Sequence, residues 1–110
     1  MNEDKELLEL AAKAAGIEPL GKAFEMNGDF AGFCMPARKV WNPLTDDGDA
    51  LRLAVKLNLG ISIPIHQTIK ADVICFSDSR VNVREEGNDP YAATRRAIVR
   101  AAAEIGRGMG

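Results

Sequence analysis

Residues 89–107, DPYAATRRAIVRAAAEIGR, open with an aspartate before a proline, the pattern of a helix N-cap with proline at the first helical position. Gly106 lies just past Ile105, where a helix-ending glycine is expected, so the two signals bracket a helix of roughly four turns. On a wheel advancing about 100° per residue, Tyr91, Thr94, Ala101, Ala102 and Ile105 fall within roughly 60° of Ile98 and form the expected buried stripe. Arg96, Arg100 and Arg107 fall almost opposite, and Arg95 sits at the boundary between core and solvent.

Upstream, Ala71 to Phe76 is a short apolar run, Ser77 to Ser79 reads as a turn, and Val81 and Val83 alternate with Asn82 and Arg84, which makes a hairpin. Ile61, Ile63 and Ile65 alternate with Ser62, Pro64 and His66. Pro64 places that strand at a sheet edge, because proline has no N–H to donate to a ladder. Before it, Ala50, Leu51, Leu53, Ala54 and Leu57 form the apolar stripe of a second helix ending near Leu57, with Arg52 and Lys56 as an exposed pair four apart. Asn42 before Pro43, or Thr45 before Asp46, would cap it, and Asn58 takes the left-handed position at its end.

Arg38 to Asn42 reads as a link. Phe24, Met26, Phe30, Phe33 and Met35 lie around Asn27-Gly28, the residue pair of a type I′ hairpin turn. At the start, Glu3 to Ala15 has helical apolar spacing and first-turn carboxylates, closed by Gly16 and Ile17. The expected architecture is one α+β domain over residues 1–110, ordered α-β-β-α-β-β-β-α, with an antiparallel sheet of about five strands carrying three helices.

Composition narrows the function. The 110 residues carry 14 Lys and Arg against 16 Asp and Glu, a formal net charge of -2, which lacks the basic footprint needed for a nucleic-acid duplex. No apolar run approaches a membrane span and the first ten residues are acidic, so no membrane partner and a cytoplasmic location are expected. Cys34 and Cys75 sit in apolar stretches without metal spacing and read as buried, reduced thiols. Asp46, Asp47 and Asp49 lack a calcium-loop register and read as helix-start residues, and His66 reads as a surface histidine, so no metal, cofactor or catalytic group is assigned.

Three guanidinium groups within six residues, Arg95, Arg96 and Arg100, match phosphate geometry and are the candidate anion contacts. For the opposite-face arginines a solvated face is the plainer reading of any single one, and Arg95 is the better candidate. Trp41 and Phe76 are candidate stacking surfaces for a base, with core packing as the plainer reading, and Asn82 could hydrogen-bond a purine.

Two segments, WNPLTDDGDALRLAVKLNL at 41–59 and DPYAATRRAIVRAAAEIG at 89–106, together about a third of the chain, resemble small phage and prophage proteins of the ABA-sandwich, NinX-like type. The resemblance implies a helix–sheet–helix sandwich from a phage accessory gene acting in the host cytosol. A looser similarity to phage nucleotide-sponge anti-defence proteins implies capture of a small cyclic nucleotide without turnover. A ligand of that size in so small a domain implies a site shared within a homo-oligomer. The rival expectation is an anti-CRISPR-like inhibitor that blocks a host defence protein through an acidic surface including Glu3, Asp4, Glu6 and Glu9.

Overall fold

A computed structural model describes residues 3–17, 21–35, 39–63, 71–77 and 81–109. The elements in chain order are α1 (Glu3–Ala15), β1 (Ala23–Met26), β2 (Asp29–Met35), β3 (Lys39–Trp41), α2 (Asp47–Lys56), β4 (Gly60–Ser62), β5 (Ala71–Phe76), β6 (Asn82–Gly87) and α3 (Pro90–Gly108). The class is α+β, but the single sheet of about five strands is replaced by two three-stranded antiparallel sheets, β1-β2-β3 and β4-β5-β6. The added strand is Lys39–Trp41, which the sequence presents as a link. It pairs with β2 through Phe33↔Trp41, Cys34↔Val40 and Met35↔Lys39. The order is therefore α-βββ-α-βββ-α.

Local chemistry explains where the elements stop. At the end of α1, Gly16 adopts φ 72°, Ile17 N–H donates to the Ala12 carbonyl at 2.9 Å and Gly16 N–H to the Lys13 carbonyl at 3.2 Å, the paired bonds of a Schellman cap. Asn58 repeats this after α2 with φ 55°, where Leu59 N–H reaches the Ala54 carbonyl at 2.9 Å. Asn27 and Gly28 have φ of 55° and 84°, as the type I′ turn between β1 and β2 requires. The N-cap of α2 is Asp46, neither Asn42 nor Thr45: its carboxylate accepts from Asp49 N–H at 2.8 Å. Asp89 caps α3 as expected, accepting from Tyr91 N–H at 2.9 Å.

The core centres on α3, which packs against α1, α2, β5 and β6. Its buried surface is far wider than the expected stripe, because Ala93, Ala97, Val99 and Ala103 are buried as well as Ile98, Ala101 and Ala102. Alanine on several sides lets neighbours approach from several directions, which an ordinary amphipathic helix does not permit. Gly106 lies inside the helix, which runs on to Gly108. A Cβ there would stand 2.0 Å from the Leu10 carbonyl oxygen, so this glycine is the close crossing point of α1 and α3. Tyr91, expected in the stripe, is exposed in the first turn.

β4 is an edge strand, the position that Pro64 predicts for this stretch. Pro64, Ile65, His66 and the turn positions Asp78 and Ser79 lie outside the described residues. Of the two thiols, Cys75 is fully buried in the central strand, with Ile61 and Val83 beside it in register, whereas Cys34 is exposed, contrary to the expectation that both are buried. Burial pushes the Cys75 thiol up from 9.0 to about 11. The unfolded chain then ionises first as pH rises, so the stability due to this neutral thiol is intact below pH 9 and is lost progressively toward pH 11. Alkylation at mildly alkaline pH is expected to modify Cys34 alone in the native protein and both thiols in urea. Equal labelling rates in the native state, followed by mass spectrometry, would contradict this burial.

Candidate ligand-binding site

The segment Trp41 to Asp49 builds one wall of a cavity through a chain of backbone demands. A bulge interrupts the ladder between β1 and β2, where Phe24 faces Gly32 and Glu25 faces Phe30, leaving Ala31 without a ladder partner. The Ala31 carbonyl instead accepts from Asn42 Nδ2 at 2.9 Å, while Asn42 Oδ1 accepts from Leu44 N–H at 3.0 Å. Asn42 N–H donates to Asp49 Oδ2 at 3.0 Å, and the other oxygen of that carboxylate accepts from Arg52 at 2.7 Å. Asn42 and Asp49 are both buried and fully engaged, so they lock β3 to the first turn of α2.

Beside this lock lies a cavity of about 460 Å³ lined by Ala15, Gly16, Ile17, Met35, Trp41, Asp49, Arg52, Leu53 and Lys56. It brings together the capped end of α1, β2, β3 and one side of α2. Its volume falls within the roughly 300 to 1,000 Å³ common for small-molecule sites. The lining is mostly apolar, with two cations against one carboxylate, and that carboxylate is already neutralised by Arg52. No described acidic side chain is paired with Lys56, which stands exposed at the cavity.

The candidate residues taken from the sequence are dispersed. Arg95 turns to the start of α2, its Nε donating to the carbonyl of Leu44 in the turn before the helix at 2.9 Å and its Nη1 to Asp47 at 2.6 Å. Arg96 reaches Asp4 of α1 at 3.2 Å and Glu85 of β6 at 3.8 Å. Arg100 binds the Glu85 carboxylate and the Arg84 carbonyl. The helical wheel places Arg96, Arg100 and Arg107 correctly on the strip of α3 left uncovered, but carboxylates of neighbouring elements flank that strip. Arg96 and Arg100 meet at Glu85, which occupies both, while Arg95 stands apart at Asp47, so the three candidate arginines do not converge on one ligand position.

Arg100 and Asn82 are brought together, lining a polar cavity of about 230 Å³ with Leu7, Val81, Val83 and Glu104. Phe76 stands apart from it. Paired with Asn82 across the hairpin, its half-exposed ring lies over Gly60, where a Cβ would come within 2.5 Å of ring carbons. Trp41 is only 9% exposed, so core packing is its main role and only a small part of the indole lines the larger cavity. Sequence reasoning noticed Arg52 and Lys56 as a pair but not as a site. The i, i+4 spacing that announces them also describes any solvated helix face.

No family model matches the chain, and neither the curated proteins nor the solved structures contain a match. Among the described residues no group of His, Cys, Asp or Glu is arranged to hold a metal ion, and no helix is long and apolar enough to cross a membrane.

Proposed function

We propose that the protein is a non-enzymatic capture module that holds a small anionic nucleotide, a cyclic nucleotide signal, in the cavity bordered by Trp41, Arg52 and Lys56. This is the counter-defence role that the resemblance to phage accessory proteins implies. The observation that carries the reading is the meeting, in one cavity of ligand size, of an apolar wall with two α2 cations. The arginines of α3 are bound to carboxylates, as Arg52 is to Asp49 and Asp46, so Lys56 is the lining cation that carries most of the attraction for an anion. Capture without turnover is supported by the lining itself. Its one carboxylate is held by Arg52 and the Asn42 N–H, which leaves no poised base among the described lining residues.

A second reading, an inhibitor that presents an acidic face to a host defence protein, is favoured by the exposure of Glu3, Glu6 and Glu9 along α1. The two readings separate in one experiment. Purified protein is incubated with cyclic di- and trinucleotides and with ADP-ribose derivatives, then freed of unbound ligand and heat-denatured. Capture predicts intact nucleotide in the released fraction. Lys56→Ala is expected to weaken uptake by about 10-fold or more, the loss of one charge-assisted contact, while Arg96→Ala leaves uptake unchanged. Equal uptake by Lys56→Ala and the parent would remove the cavity from the site. Absence of uptake, with a host effector retained on the protein, would favour the inhibitor.

A further inference from the structure

The face formed by α2, β4 and the first turn of α3 leaves its large apolar side chains uncovered. Leu51 is 61% exposed, Val55 67%, Ile63 49% and Tyr91 70%. Leu51, Ile63 and Tyr91 line one shallow groove of about 210 Å³ with Ala50, Ile61 and Ile98, and Val55 continues it one turn along α2. We propose that this face is a two-fold interface between two copies of the chain.

Two features select a second copy as the occupant. The first is area. The exposed parts of these four side chains amount to on the order of 400 Å², the size of the largest apolar patch on a typical soluble protein, which is often functional. A standard interface takes about 800 Å² per partner, of which somewhat over half is apolar, or about 450 Å². The patch therefore supplies nearly the whole apolar share that a dimer of ordinary size needs.

The second feature is charge. An isologous contact sets each surface against its own copy, so an unbalanced charge within it would meet its like. Among the described residues, the charges lining the groove are Asp47 and Arg95, bound to one another at 2.6 Å, and they cancel within one chain. The acidic outer side of α1, with Glu3, Glu6 and Glu9 exposed, would repel its own copy. An apolar centre bordered by an internally neutralised pair suits self-association better than capture of a charged partner.

The proposal does not rest on nucleotide capture and is tested without ligand. Sedimentation velocity across a concentration series is expected to give the mass of two chains at high micromolar concentration. Leu51→Glu and Tyr91→Glu are each expected to weaken the dimer about 30-fold or more, the effect of losing an interface hot spot, with circular dichroism and thermal midpoint unchanged. Both side chains are more exposed than buried, so the fold survives their loss. Met26→Glu, at an equally exposed apolar position on the other sheet, is expected to leave the dimer intact. A single-chain mass at every concentration would overturn the proposal. So would a dimer that survives both glutamate variants, one that is lost equally in Met26→Glu, or growth beyond two copies.

Discussion

Gly106→Ala is expected to destabilise the protein by about 3 kcal/mol or more, at the upper end of the usual cost of overpacking, although alanine is the better helix former by about 1 kcal/mol. The sign follows from a single contact. A Cβ at this position would stand 2.0 Å from the Leu10 carbonyl oxygen and 2.9 Å from its carbon, both backbone atoms that cannot rotate away. Relief requires α1 and α3 to separate, and that parts Leu8, Ala11 and Ala12 from the buried alanines of α3. Gly108→Ala, with nothing within 4 Å of the added carbon, is the control and is expected to be neutral or slightly stabilising. Urea unfolding of the pair measures both. An unchanged midpoint in Gly106→Ala would mean that the helices do not cross at this distance.

The second large effect is expected at Asn42. Asn42→Ala removes the donor to the bulged Ala31 carbonyl and the acceptor of Leu44 N–H. Each lost bond costs about 1 kcal/mol, with a further penalty for a buried group left unpaired, about 3 kcal/mol in all. Asn42→Asp restores the acceptor for Leu44 but not the donor to Ala31, and it sets a second carboxylate close to the buried Asp49. It is therefore expected to rescue little. Because the same lock supports the wall of the larger cavity, Asn42→Ala should also weaken ligand uptake, and denaturant titration read beside uptake would show the two losses together. Full stability in Asn42→Ala would show that the bulge carbonyl finds another donor.

The three helices were legible because caps and periodicity are local properties. Asp89-Pro90, Gly16-Ile17 and Asn58 each carry their meaning within a few residues. Lys39–Trp41 was not, since three residues have no period and their strand character comes only from pairing with β2. Nor does any local signal say that β1 to β3 and β4 to β6 form separate sheets, since strand partners far apart in sequence leave no mark on the strands themselves. Gly106 shows the same limit. Its position invites reading as a helix end, and only the approach of Leu10 from α1 reveals its purpose. The candidate cavity draws on Ala15 to Ile17, on Met35 and Trp41, and on α2 residues between Asp49 and Lys56, and no motif search joins them. The arginines were placed correctly around α3, but the carboxylates awaiting them come from α1, α2 and β6.

The union of α1 with α3 has a kinetic side. Arg96 meets Asp4 across 92 positions of chain, whereas each three-stranded sheet is a meander whose strands neighbour one another in sequence. Zipping a meander closes only short loops, whereas seating α3 against α1 closes a loop of nearly the whole chain, which costs more entropy and slows the search. The late, costly event in folding is thus the docking of these two helices, and substitutions at their contact should be felt in how fast the native state is reached as well as in how firmly it is held.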